Sequence, residues 1–162
     1  MQLFQKLSDG IYVIEKWLSI IFTFIMFSSL VAGVVFRYVV NYALQWSDEL
    51  AIFCLVWITF LGGSIGIKKQ ETAAVTILAD KLKGKSRRIL ISAGLGILTL
   101  FTAYIFYLSV TWITSPSMKF EKSISMEIPM IYPNLIVPIG MFFITVHSFN
   151  LFLISLFGKE EL

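Results

Sequence analysis

The side chains that could do chemistry in this chain are few. His147 is the single histidine and stands near Asn150, while Cys54 is the single cysteine and has no second thiol to pair with. Zinc and haem sites need several such ligands in register, and CxxC redox chemistry needs two thiols. Metal, haem and dithiol chemistry by this chain alone is therefore excluded, and no catalytic or cofactor-binding set is expected. A denser grouping is Arg37-Tyr38 followed by Trp46-Ser47-Asp48-Glu49, with eleven residues between Arg37 and Glu49. Ser47 is expected to cap a helix whose first turn carries Asp48 and Glu49, where the macrodipole favours negative charge. Arg37 then has one of these carboxylates or a lipid phosphate as a partner, unless it is a solvated arginine beside an ordinary cap.

The elements that must position these residues are set by composition. The chain has 162 residues, 57% of them hydrophobic and 14% charged, with a mean hydropathy of +0.84. A soluble core of this size cannot hide that much apolar surface, so the solvent is a bilayer. Crossing about 30 Å of hydrocarbon takes about 20 mostly apolar residues. Four charge-free runs meet this need, giving spans at residues 17–36, 50–67, 89–115 and 134–157. Pro116 stops the third, and Pro129 and Pro133 sit in an entry segment to the fourth. The apolar run of the first span is too long for a cleavable signal peptide, and no small-residue cleavage site follows it.

The cations divide ten to three. Lys6, Lys16, seven residues of a basic loop at 68–88, and Lys159 lie on one side, against Arg37, Lys119 and Lys122 on the other. The positive-inside preference then places both termini and the basic loop in the cytoplasm. Leu3, Leu7, Ile11, Ile14 and Leu18, and later Val75, Leu78 and Leu82, recur at helical spacing among charged residues and read as amphipathic segments along the headgroups. The expected fold is thus an all-α integral membrane protein, a single membrane domain of four transmembrane helices with interfacial segments.

Inside the spans, His147 with Asn150 is the only group able to carry a proton or touch a polar substrate. No carboxylate lies within the other spans to tune the imidazole, so hydrogen-bonded packing of helix four is the favoured role. Ser29 with Gly33, Gly62 with Gly66, and Ser92 with Gly96 form small-x-x-x-small pairs that let helices approach closely. This poverty of buried charge argues against an autonomous pump and against a membrane enzyme.

Phe36 to Lys69 and Ser123 to Gly140 carry a family likeness. Arg37-Tyr38, Trp46 to Glu49, Val56-Trp57-x-x-Phe60-Leu61-Gly62 and Ile128-Pro129 through Pro138-x-Gly140 resemble the motifs of the small, Q-type membrane subunit of tripartite ATP-independent periplasmic (TRAP) transporters. Where that family often shows His-Ile-x-Val-Asp, this chain has Thr72-Ala73-Ala74-Val75-Thr76, so no role of that His or Asp transfers. The resemblance implies a multi-pass protein of the bacterial inner membrane. It implies a large multi-spanning membrane subunit as partner, a periplasmic binding protein that delivers an organic anion such as a carboxylate or sialic acid, and membrane lipids around them. Sodium ions belong to the large subunit, no nucleic acid is involved, and the small subunit is a non-catalytic scaffold. The alternative is a small homo-oligomeric four-helix transporter or channel.

Overall fold

The computed structural model describes residues 2–69 and 85–157. Its elements in chain order are α1 (Gln2–Tyr38), α2 (Gln45–Lys68), α3 (Lys85–Ile113), the short α4 (Pro116–Phe120) and α5 (Ile131–Asn134), and α6 (Ile136–Phe157). Four helices are long and apolar enough to cross a membrane: Leu3–Tyr38, Gln45–Lys68, Arg87–Ile113, and the α5–α6 stretch Ile131–Phe157. α1 packs on α2 and α3 on α6, and α2 joins the two pairs by packing on α6.

The outer surface is apolar in the middle of the helices. Phe24, Ile97 and Leu100 are 71%, 70% and 74% exposed, a surface that suits lipid or an apolar partner. The seams, by contrast, are lined by small and polar groups. Ser29, Ser47, Ser64, Ser92, Ser109, Ser148, Ser155, His147 and Asn150 are all buried. In lipid the tails outside are as oily as leucine, so close backbone approach and hydrogen bonds drive helix association.

The helix ends follow local chemistry. α3 stops at Ile113, two residues before the extended Ser115, and Pro116 then opens α4 at a position where its missing N–H costs nothing. The helix therefore ends two residues before the expected span boundary at residue 115, although the uncharged run continues to Met118. Pro138 cannot donate to the Asn134 carbonyl, and the fourth span is interrupted at Leu135, between α5 and α6. The Trp57 indole N–H donates instead to the Pro133 carbonyl at 3.0 Å, tying that interruption to α2.

One expectation needs adjustment. The amphipathic segment before span one is not a separate element: α1 runs unbroken for 37 residues, about 55 Å. It turns Ser8, Ile11 and Glu15 inward while Leu3, Leu7 and Ile14 stay exposed. The second amphipathic segment, residues 75–82, lies outside the described residues.

Candidate functional site

Polar chemistry gathers at the two ends of the bundle. At one end Arg37, in the last turn of α1, donates from Nη2 to Asp48 Oδ2 at 3.2 Å across the turn that joins α1 to α2. Both side chains are more than half exposed, 53% and 59%, so this is a screened surface pair. Asn41, at φ 56, supplies the left-handed residue that the turn needs.

Glu49 does not join that pair. Its carboxylate accepts three backbone N–H groups, from Ile124 at 3.1 Å, Ser125 at 2.9 Å and Met126 at 3.1 Å. These donors lie at the tip of a small hairpin in which Lys122 and Pro129 bridge, Ser123 N–H bonds to Ile128 C=O, and Met130 N–H bonds to Glu121 C=O. Successive helical residues point about 100° apart, so Asp48 turns to α1 while Glu49 turns to a loop 75 residues further on. The expected three-member cluster is thus two separate devices.

Ser47 is not the cap expected of it. α2 starts at Gln45, its N-cap position is Leu44 with no side-chain cap, and Ser47 Oγ donates back to the Leu44 carbonyl at 2.8 Å. Its value lies in the α1–α2 seam. Ser29 Oγ donates to the Ser47 carbonyl at 2.8 Å, and a Cβ at Gly33 would sit 2.5 Å from Ser47 Oγ. Trp46 beside it is partly exposed at the same end.

The small-residue pairs separate in the same way. Ser92 bonds Ser155, and a Cβ at Gly96 would press on the Phe152 ring edge at 3.1 Å. Among the described residues, a Cβ at Gly62 or Gly66 would meet nothing within 4 Å, so no close packing at these positions is seen there. Gly140, which the spacing argument passed over, has that role: its Cβ would lie 2.9 Å from Phe60 Cβ.

The opposite end holds a buried network that connects three helices. His147 is fully buried, with Nδ1 at 2.7 Å from Ser8 Oγ and Nε2 at 3.1 Å from Glu15 Oε2. Lys68 Nζ donates to Ser8 Oγ and to Asp9 Oδ1, each at 2.7 Å. Next to it, Arg88 donates to the carbonyls of Ser155 and Leu156 and thereby closes the open end of α6. The expectation that His147 lacks a carboxylate partner is therefore corrected. Glu15 precedes the charge-free run of span one, but α1 continues through it and places it on the imidazole. The signal in the sequence was Ser8, Ile11 and Glu15 falling on one helical face. Asn150 is buried on α6 as well.

An ammonium has no acceptor, so Ser8 Oγ accepts from Lys68, and with a second lone pair and its own hydrogen it can still serve His147 Nδ1 in either sense. Ser8, His147 and Glu15 have the connectivity of a hydrolytic triad, yet all three are fully buried and the serine oxygen already accepts from Lys68. The arrangement links helices and offers a substrate no approach. Among the described residues no group of three or more His, Cys, Asp or Glu could hold a metal ion.

Comparison with known proteins places this architecture. The chain is 30% identical over 97 residues to the C4-dicarboxylate TRAP transporter small permease protein DctQ of Rhodobacter capsulatus, over 60% of this chain and 43% of that protein. It is 32% identical over 75 residues to the sialic acid TRAP transporter permease protein SiaT of Haemophilus influenzae (strain 86-028NP), over 46% of this chain and 12% of that protein. The chain thus spans less than half the length of either relative. Residues 14–157, covering nearly the whole chain from within α1 to the end of α6, match the family described as tripartite ATP-independent periplasmic transporters, DctQ component. This multi-pass membrane chain belongs to that family, as a small permease subunit of a TRAP transporter.

Proposed function

We propose that this chain is the non-catalytic small subunit of a binding-protein-dependent transporter of the bacterial inner membrane, and that it braces a larger membrane subunit which moves an organic anion with sodium. The observation that carries this reading is the interior of the bundle. Between Trp17 and Phe36, Leu50 and Ile67, Ile89 and Ile113, and Ile136 and Phe157 there is one ionisable side chain besides Cys54 and the tyrosines of α3, namely His147, and the buried Glu15 just outside these limits is bonded to its ring. Both of its ring nitrogens are occupied by helix-linking bonds. Seams filled by serine, glycine and ring edges suit a rigid brace, and a transport pathway for an anion or a coupling ion would need polar groups free to bind it.

The SiaT relative supports a large partner, since a stretch similar to this chain takes up 12% of a permease polypeptide there. The substrate class rests on the names of the two relatives, one a C4-dicarboxylate and the other a sialic acid transporter protein. The cation split supports an inward-facing Lys68 end: Lys6, Lys68, Lys69, Arg87 and Arg88 gather where α1 begins and α2 ends, and Arg37, Lys119 and Lys122 lie at the opposite end. Leu3, Leu7 and Ile14 on the first turns of α1 would rest among the inner headgroups. The Glu49-clamped hairpin then faces the periplasm, where a binding protein arrives. Affinity purification of the tagged chain from membranes co-expressing a TRAP large subunit tests the assignment. A stable one-to-one complex is expected, and a chain that purifies as its own homo-oligomer with the large subunit left behind would refute it.

A further inference from the structure

The Glu49-clamped hairpin has a place in depth as well as in the fold. α2 has 24 residues, about 36 Å of helix, against about 30 Å of hydrocarbon with a headgroup layer of about 5–8 Å on each side. A centred α2 therefore passes the hydrocarbon by about 3 Å at each end. Glu49 stands four residues after Gln45, the start of α2, about 6 Å along the axis, and helical side chains lean toward the helix N-terminus. Its carboxylate thus lies where acyl chains meet headgroups. The amides of Ile124, Ser125 and Met126 donate to that carboxylate, so the hairpin tip is held beside α2 at the headgroup layer.

What the tip exposes at that level is apolar. Side chains of an extended segment alternate, and here Ser123 turns inward, 5% exposed, while Ile124 turns outward, 95% exposed. Phe120, at the end of α4, is 84% exposed, and Lys119 and Lys122 on either side of it are exposed as well. Tyr38, Tyr42 and Tyr132 are exposed at the same end of the bundle, in the manner of the aromatic belt that marks a membrane–water boundary. The backbone is also prepared for an oily setting. The Ser123 and Met130 amides are paired within the hairpin, and Glu49 takes the three at the tip. Backbone that approaches hydrocarbon must find its partners inside the protein, whereas water would make no such demand.

We propose that the hairpin is a membrane anchor and that its partner is the phospholipid surface. Phe120 and Ile124 enter the acyl boundary of the leaflet on this side, Lys119 and Lys122 reach back to its anionic phosphates, and Glu49 is the positioning residue that holds the tip at that depth. Anchors at the interface set the tilt of spanning helices, so this grip fixes how the bundle stands in the bilayer. The proposal rests on the four spans and is independent of the substrate and of the large subunit.

The full-length chain in nanodiscs of phosphatidylcholine and phosphatidylglycerol tests this, with Cys54→Ser as background and the fluorophore NBD attached to Ile124→Cys or Phe120→Cys. Lipids with a nitroxide on the headgroup or upper acyl chain are expected to quench the probe strongly, and aqueous iodide or a nitroxide at the chain end weakly. The headgroup layer is wet, so the thiol stays open to reagents from its own side. Glu49→Gln should lose lipid quenching and gain iodide quenching, while a probe on Phe24→Cys in the same variant keeps its hydrocarbon signal and shows that the bundle is folded. Adding a TRAP large subunit and binding protein should leave the lipid quenching in place. Three results would overturn the anchor: quenching by iodide and not by lipid nitroxides, lipid quenching lost when either protein is added, which would give the surface to a protein partner, or a signal that Glu49→Gln leaves unchanged. A chain that failed to pair with the large subunit would refute the bracing role and leave this measurement standing.

Discussion

A glycine-to-alanine series separates the helix contacts inside this chain from the faces it leaves open. At Gly140 an added Cβ would lie 2.9 Å from both Cβ and Cδ1 of Phe60. The ring can rotate away, but a Cβ position is fixed by the backbone, so α2 and α6 must separate by several tenths of an ångström. Overpacking of this kind costs about 1–3 kcal/mol, and the better helix propensity of alanine returns up to about 1 kcal/mol. A net loss of about 1–2 kcal/mol is expected. At Gly96 the neighbour is Cε2 of Phe152 at 3.1 Å, the far edge of a side chain that can tilt, and the change should be near neutral. At Gly62 nothing lies within 4 Å, so alanine should leave the isolated subunit as stable or up to about 1 kcal/mol more stable. Reversible unfolding of the purified chain in mixed detergent and denaturant, followed by far-ultraviolet circular dichroism, measures the series. Gly62→Ala destabilising more than Gly140→Ala would refute the packing described here.

Other substitutions follow from the two ends of the bundle. Arg37→Ala should cost no more than about 1 kcal/mol, because its pair with Asp48 is exposed. Glu49→Ala should instead release the 124–126 hairpin, seen as faster amide exchange at Ser125 and Met126 with α1 and α3 unchanged; a hairpin equally protected in that variant would refute the clamp. Trp57→Phe removes the bond to the Pro133 carbonyl and should lower stability by about 1 kcal/mol in the same unfolding assay, and no loss would show that the bond does not hold the interruption between α5 and α6. For topology, Cys54 is buried and can be replaced by serine as background. Ile124→Cys, at a site 95% exposed, should then label from the periplasm and Gly84→Cys from the cytoplasm, and labelling of both from one side would contradict the orientation.

The charge-free runs announced four spanning helices because hydrocarbon forbids stray charge over 18–20 residues, and that rule needs no knowledge of partners. The same rule hid Glu15. A search for uncharged stretches stops at the first carboxylate, whereas α1 continues through it and the network beyond it lies about 33 Å from Arg37 along the helix. Asp48 was legible as a first-turn acid, but α2 starts at Gln45 and leaves Glu49 just past that turn, and the different partners of the two were not legible, since the hairpin that takes Glu49 comes 75 residues later. Small-residue spacing named Gly33 and Gly96, which do meet neighbours, and also Gly62 and Gly66, which meet none among the described residues. Spacing fixes a shared face and leaves open what that face meets. Gly140 was hidden for the converse reason: its role depends on Phe60 of another helix.

Reconstitution into proteoliposomes tests the central claim most directly, because it asks whether this chain transports anything without a larger partner. Vesicles carrying the chain alone, the large subunit alone, or both would be given a sodium gradient and the substrate-loaded binding protein. The brace account predicts uptake only with both membrane subunits present, and no uptake by the small chain at any density. Substrate accumulation in vesicles holding the small chain alone would contradict it.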